Sequence, residues 1–275
     1  MGLNAADVIG GRSAAGAFGR LADRWIYAFM AALFIVTVLS GFVPDSIGLI
    51  ADVRAGHRPP LPLIMHLHAV LMASWLLLLL TQTTLVALGH RVLHKQLGML
   101  AFGLVPAILL SMVGLVMTTW HSVADLVAAA PPGINPADIE ETRRLVINLL
   151  PVQIQSGVLF ALFTIWAIAV RRSKPETHKR LMILGTLMPL GAAIDRIAGA
   201  GWLPTTYPAA YAVESAYLFL WLAPVLIYDV VRLGRVHRAY VIGILCSLPF
   251  VAVTVMLWGS PWWLATAPKL MGVKL

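Results

Sequence analysis

The chain has 275 residues, of which 60% are apolar and only 12% charged, and it carries a net charge of +8. Soluble domains carry about twice that charged fraction, so the composition excludes a sizeable soluble domain. The single cysteine, Cys246, excludes an internal disulfide framework.

Apolar runs of about 20 residues recur along the chain, and each is long enough to span a bilayer. They predict an all-α, polytopic membrane helix bundle with seven transmembrane helices. The predicted spans lie at about 25–43, 62–88, 97–120, 146–170, 179–200, 208–231 and 239–258. Residues 1–24 read as a basic cytoplasmic tail with Arg12, Arg20 and Arg24, and lack the compact apolar core of a secretory signal. The transmembrane domain covers 25–260, and 261–275 read as a short C-terminal tail.

Basic residues alternate sides between the spans. The tail is followed by Arg91 and Lys95 after helix two, by "RRSKPETHKR" (Arg171 to Arg180) after helix four, and by Arg232, Arg235 and Arg238 after helix six. These four segments share one face, which the positive-inside rule assigns to the cytoplasm. The expected topology is N-terminus in and C-terminus out, in the inner (plasma) membrane. The positive charge is thereby explained by lipid headgroups, and no nucleic-acid partner is expected. The longest connection, about 121–145, carries a turn signal at Pro131-Pro132-Gly133 and a helix start at Asn135-Pro136, and predicts a small external segment.

Ionisable and amide groups gather at one depth near the outer face. His66 and His68 lie about 6–9 Å below the outer end of helix two. Asp195 and Arg196 on helix five, Glu214 on helix six, and Gln153 and Gln155 on helix four fall in the same layer. Such groups face the bundle interior and one another. Arg196 is expected to meet Glu214, and Asp195 a histidine. His66 and His68 are two residues apart and point about 200° from each other. His68 is taken as the inward residue, with Met72 and Trp75 sharing its direction, and His66 as a bystander.

A weak repeat marks the other face. "HRVLHKQLG", "KPETHKRLM" and "GRVHRAYVIG" each put a histidine where a basic loop enters a span, so His94, His178 and His237 share one depth. With Asp229 they form a candidate set of metal or cofactor ligands.

His68, Gln82, "HKQLG", "THKRLM" and Arg196, with "LGRVH" around His237, resemble a broad group of bacterial multipass membrane proteins of unknown function. Those proteins read H…Q…HRxLG…HRRxM…R, and the likeness covers about residues 60–240. It implies no activity. The histidines on several spans are also loosely similar to transmembrane b-type cytochromes, which hold haem between histidines on facing helices. That similarity implies one haem b on His94 and His178, and electron exchange with a quinone or a membrane redox partner.

Three functions follow as expectations. The leading one is a haem-binding redox protein. The second is a zinc-dependent hydrolase of a lipid amide or ester, with His94, His178, His237 and Asp229 around the metal. The chain lacks the His-x-x-x-His on its last span that receptor-like zinc hydrolases carry. The third is a proton-coupled transporter or ligand-binding sensor using His68, Asp195, Arg196 and Glu214.

Overall fold

The computed structural model describes residues 5–129, 133, 135–197 and 218–274, with side chains from Gly19 onward. The described residues are 86% helix and contain no strand, so the chain is all-α. In order, the helices are α1 (Ala5–Arg54), α2 (Leu63–Ala87), α3 (Arg91–Leu97), α4 (Ala101–Ala129), α5 (Pro136–Val170) and α6 (Pro175–Leu187). They continue with α7 (Gly191–Ile194), α8 (Ala223–Leu233), α9 (Arg238–Leu257) and α10 (Pro261–Leu270). A short 3₁₀ stretch joins α3 to α4, and another joins α6 to α7.

Five helical stretches are long and apolar enough to cross a membrane: Gly19–Arg54, Leu63–Ala87, Arg91–Ala129, Pro136–Val170 and Arg238–Leu257. Their outer faces are apolar, with Leu110 73% and Met256 77% exposed. That arrangement is stable against hydrocarbon and unfavourable against water. The chain is a membrane protein. The predicted span at 179–200 corresponds to α6, the 3₁₀ turn and α7, and the one at 208–231 ends in α8. Residues 198–217, which include Glu214, lie outside the described residues.

Several elements are longer than the hydropathy pattern implies. Residues 5–24 of the tail and 44–54 of the first loop both belong to α1, whose 50 residues extend about 75 Å. Of the expected external segment, residues 121–129 form the end of α4 and 136–145 the first turns of α5. Asn135 caps α5 by accepting from Ala137 N at 3.0 Å, with Pro136 at the first helical position. The C-terminal segment forms α10, capped by Ser260 and docked on α5 by Trp263 Nε1, which donates to Ile147 O at 3.0 Å.

Cross-bundle bonds define the two ends. At the basic end, Arg24 Nε donates to Ala87 O at 2.6 Å, Arg232 pairs with Asp23, and Lys179 sits 5.0 Å over the Tyr27 ring. The four basic segments therefore meet at one end of the bundle. At the other end, Arg196 pairs with Asp45 at 3.2 Å, and Gly259 N donates to Asn148 Oδ1 at 2.9 Å.

Helices approach closely where a side chain is missing. A Cβ on Gly41 of α1 would collide with the Ala193 carbonyl of α7, whereas one on Gly103 of α4 meets nothing within 4 Å. Gly41→Ala should therefore destabilise the bundle by about 1–3 kcal/mol. Gly103→Ala should be neutral or slightly stabilising, by at most about 1 kcal/mol. Thermal unfolding in one detergent compares them directly, and equal melting temperatures would contradict this packing.

Candidate functional site

His68 and His66 lie in the first turns of α2, where they separate by azimuth. His66 is exposed, and His68 turns inward. The Ser111 hydroxyl has one proton and donates it to Ile108 O at 2.8 Å, so the contact of 2.9 Å from His68 Nδ1 to Ser111 Oγ is donated by the ring. The Nε2 lone pair of His68 is left bare. Beside it is a cavity of about 50 Å³, bounded by Met72, Met112, Ser156, Phe160 and Pro189. Pro189 sits in the 3₁₀ turn and supplies no N–H, and the nearby Met188 carbonyl accepts from Ser156 Oγ at 2.9 Å. Trp75 is buried, and its Nε1 donates to Thr186 Oγ1 at 3.1 Å.

The outer polar layer does not close into one site among the described residues. Gln155 Oε1 accepts from Thr254 Oγ1 at 3.2 Å, which ties α5 to α9. Asp195 and Arg196 are exposed at the end of α7. Arg196 lies against α1, bonded to Asp45 and stacked 4.8 Å over Phe42. The expected partner Glu214 is outside the described residues.

Towards the basic end, Gly89 (φ 84°) makes the left-handed turn that folds α3 back beside α2. This turn sets His94 against Gln82. The Gln82 amide has one orientation that satisfies all its neighbours. Its nitrogen donates to His94 O at 2.8 Å and to His94 Nδ1 at 2.6 Å, and its oxygen accepts from Gly98 N at 3.2 Å. His94 Nδ1 also lies 3.4 Å from the Gln82 backbone carbonyl, but the amide nitrogen at 2.6 Å is the much shorter contact, so Nδ1 accepts from the amide and the ring carries its proton at Nε2. His178, on α6, has the opposite tautomer: its Nδ1 is 2.9 Å from the Ala167 carbonyl, which can only accept, so Nε2 is bare. The two imidazoles lie within electrostatic reach of each other.

One face of α6 holds a buried ion pair. Arg180 is 1% exposed and Asp229 of α8 is fully buried. Arg180 Nε lies 3.2 and 3.0 Å from the two Asp229 oxygens, and Nη2 also donates to Oδ1. Nη1 donates to Glu176 O at 2.9 Å and Oε2 at 2.7 Å, so the guanidinium is enclosed by acceptors. The Tyr27 and Tyr240 hydroxyls lie within its field. Asp229 Oδ2 also accepts from His237 N at 3.1 Å, and His237 Nδ1 caps α9 by accepting from Ala239 N at 3.1 Å. Burial, aided by the Arg180 charge, holds the His237 imidazole below its usual pKa, so it is neutral at pH 7 and able to cap.

These engagements occupy three members of the expected zinc ligand set. Asp229 is committed to Arg180, His237 to the α9 cap, and His178 to the α5 backbone. Together with His94, these groups do not converge, and among the described residues no three His, Cys, Asp or Glu groups could hold a metal ion. Haem requires Nδ1–H on both axial histidines so that Nε2 can bind iron. His178 meets that need, while His94 would have to give up the Gln82 hydrogen bond. From the sequence alone, Arg180 reads as a loop charge and Ser111 as a hydroxyl bonded back to its own helix. The spacing Glu176–Arg180, one helical turn, was the available signal for Arg180. Gln82 entered only through the family pattern.

Compared with family models, curated proteins and solved structures, the chain matches none.

Removing one member of the buried pair leaves an uncompensated charge. Arg180→Met or Asp229→Leu alone should cost about 3–5 kcal/mol, and the double variant should recover most of that loss. Unfolding in lipid nanodiscs measures all three. A double variant as unstable as the worse single would show that the pair is not the source of the loss.

Proposed function

We propose that the chain is a plasma-membrane protein that crosses the bilayer seven times, N-terminus in and C-terminus out. In this reading His94 and His178 handle a proton for coupled transport or sensing of a ligand. The five long apolar helices supply five crossings. Pro175–Ile194 is 20 residues long, about 30 Å, and suits a sixth. The segment ending in α8 suits the seventh. The shared end of the four basic segments supports the sidedness.

The observation that carries the proton reading is the opposite tautomers of two neighbouring imidazoles. His94 offers Nε2–H and His178 offers a bare Nε2. When His178 takes up a proton at Nε2, the ring presents donors only, and its charge acts on His94. Occupancy of one ring is therefore coupled to the state of the other. Gln82 and the Ala167 carbonyl hold the resting tautomers in place.

Protein labelled with ¹⁵N-histidine, in nanodiscs, should show Nε2–H at His94 and Nδ1–H at His178. His94→Gln should move the His178 titration midpoint by about half a pH unit or more. Identical tautomers, or a midpoint unmoved by the substitution, would overturn the proposal.

A second reading retains one supporting observation. The Nδ1 bond of His178 to the Ala167 carbonyl is the support that an axial haem ligand uses. A b-type haem exchanging electrons with a quinone would draw on that ring. Protein purified after haem supplementation would then show a Soret band that disappears in both His178→Ala and His94→Ala. Haem-free protein rules this reading out.

A further inference from the structure

We propose that the cleft between the α5–α6 turn and the start of α9 binds the phosphate headgroup of an anionic phospholipid. It is an open cleft of about 670 Å³ at the basic end of the bundle. Three segments contribute cations to it: Lys174 from the α5–α6 turn, Arg235 from the α8–α9 turn and Arg238 from the first turn of α9. Thr177 adds a hydroxyl, and His237 lines the cleft beside them.

The ion pairing around the cleft separates two groups of cations. Lys179 and Arg180 are bonded to Glu176, Arg180 also to Asp229, and Arg232 to Asp23. Lys174, Arg235 and Arg238 are exposed, and no carboxylate among the described residues pairs with them. Three unneutralised cations facing one concavity form a site for a phosphate dianion or monoanion. The α9 dipole, positive at Arg238, adds to the same field. The turn geometry keeps the cations together. Gly234 (φ 68°) ends α8 in a left-handed conformation, and Asp229 holds His237 N, so Arg235 and Arg238 flank a fixed point.

The walls of the cleft favour a lipid over a free phosphate. Trp166 of α5 and Ile242 of α9 line its apolar side. On the same two helices, Ile165 and Leu245 are exposed apolar residues that would face acyl chains. A headgroup in the cleft would therefore leave its acyl chains along α5 and α9. Basic pockets between helices at the membrane surface suit such headgroups. The site is independent of the His94–His178 reading.

Native mass spectrometry of the full-length protein, titrated with phosphatidylglycerol and with phosphatidylcholine, tests the proposal. The wild type should retain phosphatidylglycerol in preference to phosphatidylcholine. Lys174→Gln/Arg235→Gln/Arg238→Gln should weaken that binding between about tenfold and a hundredfold. Arg91→Gln/Lys95→Gln/Arg172→Gln removes the same charge at the same end and should leave it within about twofold. The six side chains are exposed, so both variants should unfold at the wild-type temperature, which a melting curve checks. Equal loss in both variants would reduce the effect to diffuse surface attraction and overturn the site. So would the absence of a preference for the anionic lipid. Displacement of phosphatidylglycerol by an equal concentration of glycerol 1-phosphate would instead assign the cleft to a soluble phosphate, and the lipid proposal would fall.

Discussion

The pairing of Arg180 with Asp229 sets how α6 is turned about its own axis, and both ends of the functional argument depend on that rotation. Residues two apart on a helix point about 200° from each other. With Arg180 directed at α8, His178 is directed at α5, where the Ala167 carbonyl receives it. Lys179, between them, reaches Tyr27 of α1. The same carboxylate accepts His237 N, so the pair also positions the first turn of α9 and with it the cationic cleft. A buried ion pair contributes little net stability compared with a well-packed apolar substitute. What it contributes here is specificity, because only one rotation of α6 leaves neither charge bare.

Five long apolar helices were legible because a bilayer imposes a strict requirement on composition, and the gathering of basic segments at one end was legible for a related reason. Depth along a helix follows from counting residues. Azimuth around it depends on which neighbour each residue meets, and that is where the sequence reading ran out. Counting places His68 two turns or less into α2, but not its partner, Ser111 on α4, a hydroxyl that reads from the sequence as an ordinary back-bonded serine. Arg196 lies at the end away from the basic segments, and its partner is Asp45, which lies within the continuous α1 rather than in a loop. The run "RRSKPETHKR" reads as one cationic loop, but Pro175 starts α6 inside it. His178 and Arg180 are therefore already in the helix, and Arg180 becomes the most buried cation at that end. His237 resembled a ligand because histidine rarely caps a helix, and its Nδ1 was spent on Ala239.

Hydroxyls on the apolar helices mostly satisfy themselves. Thr37, Ser74, Thr83, Thr118, Thr119, Thr164, Thr186 and Ser247 each bond to a carbonyl one turn back on their own helix. Polar side chains that reach across the bundle are thus a small and informative set. Trp75–Thr186, Gln155–Thr254 and Trp221–Thr37 fasten helices together with neutral groups. His68–Ser111, Gln82–His94 and His178–Ala167 fasten helices with rings that can change charge. A purely structural role is filled as well by the first kind, at no risk of burying a charge when the pH falls. The use of histidine at three such crossings therefore favours the proposed proton chemistry, and the His94–His178 pair is where that proposal finds both a donor and an acceptor.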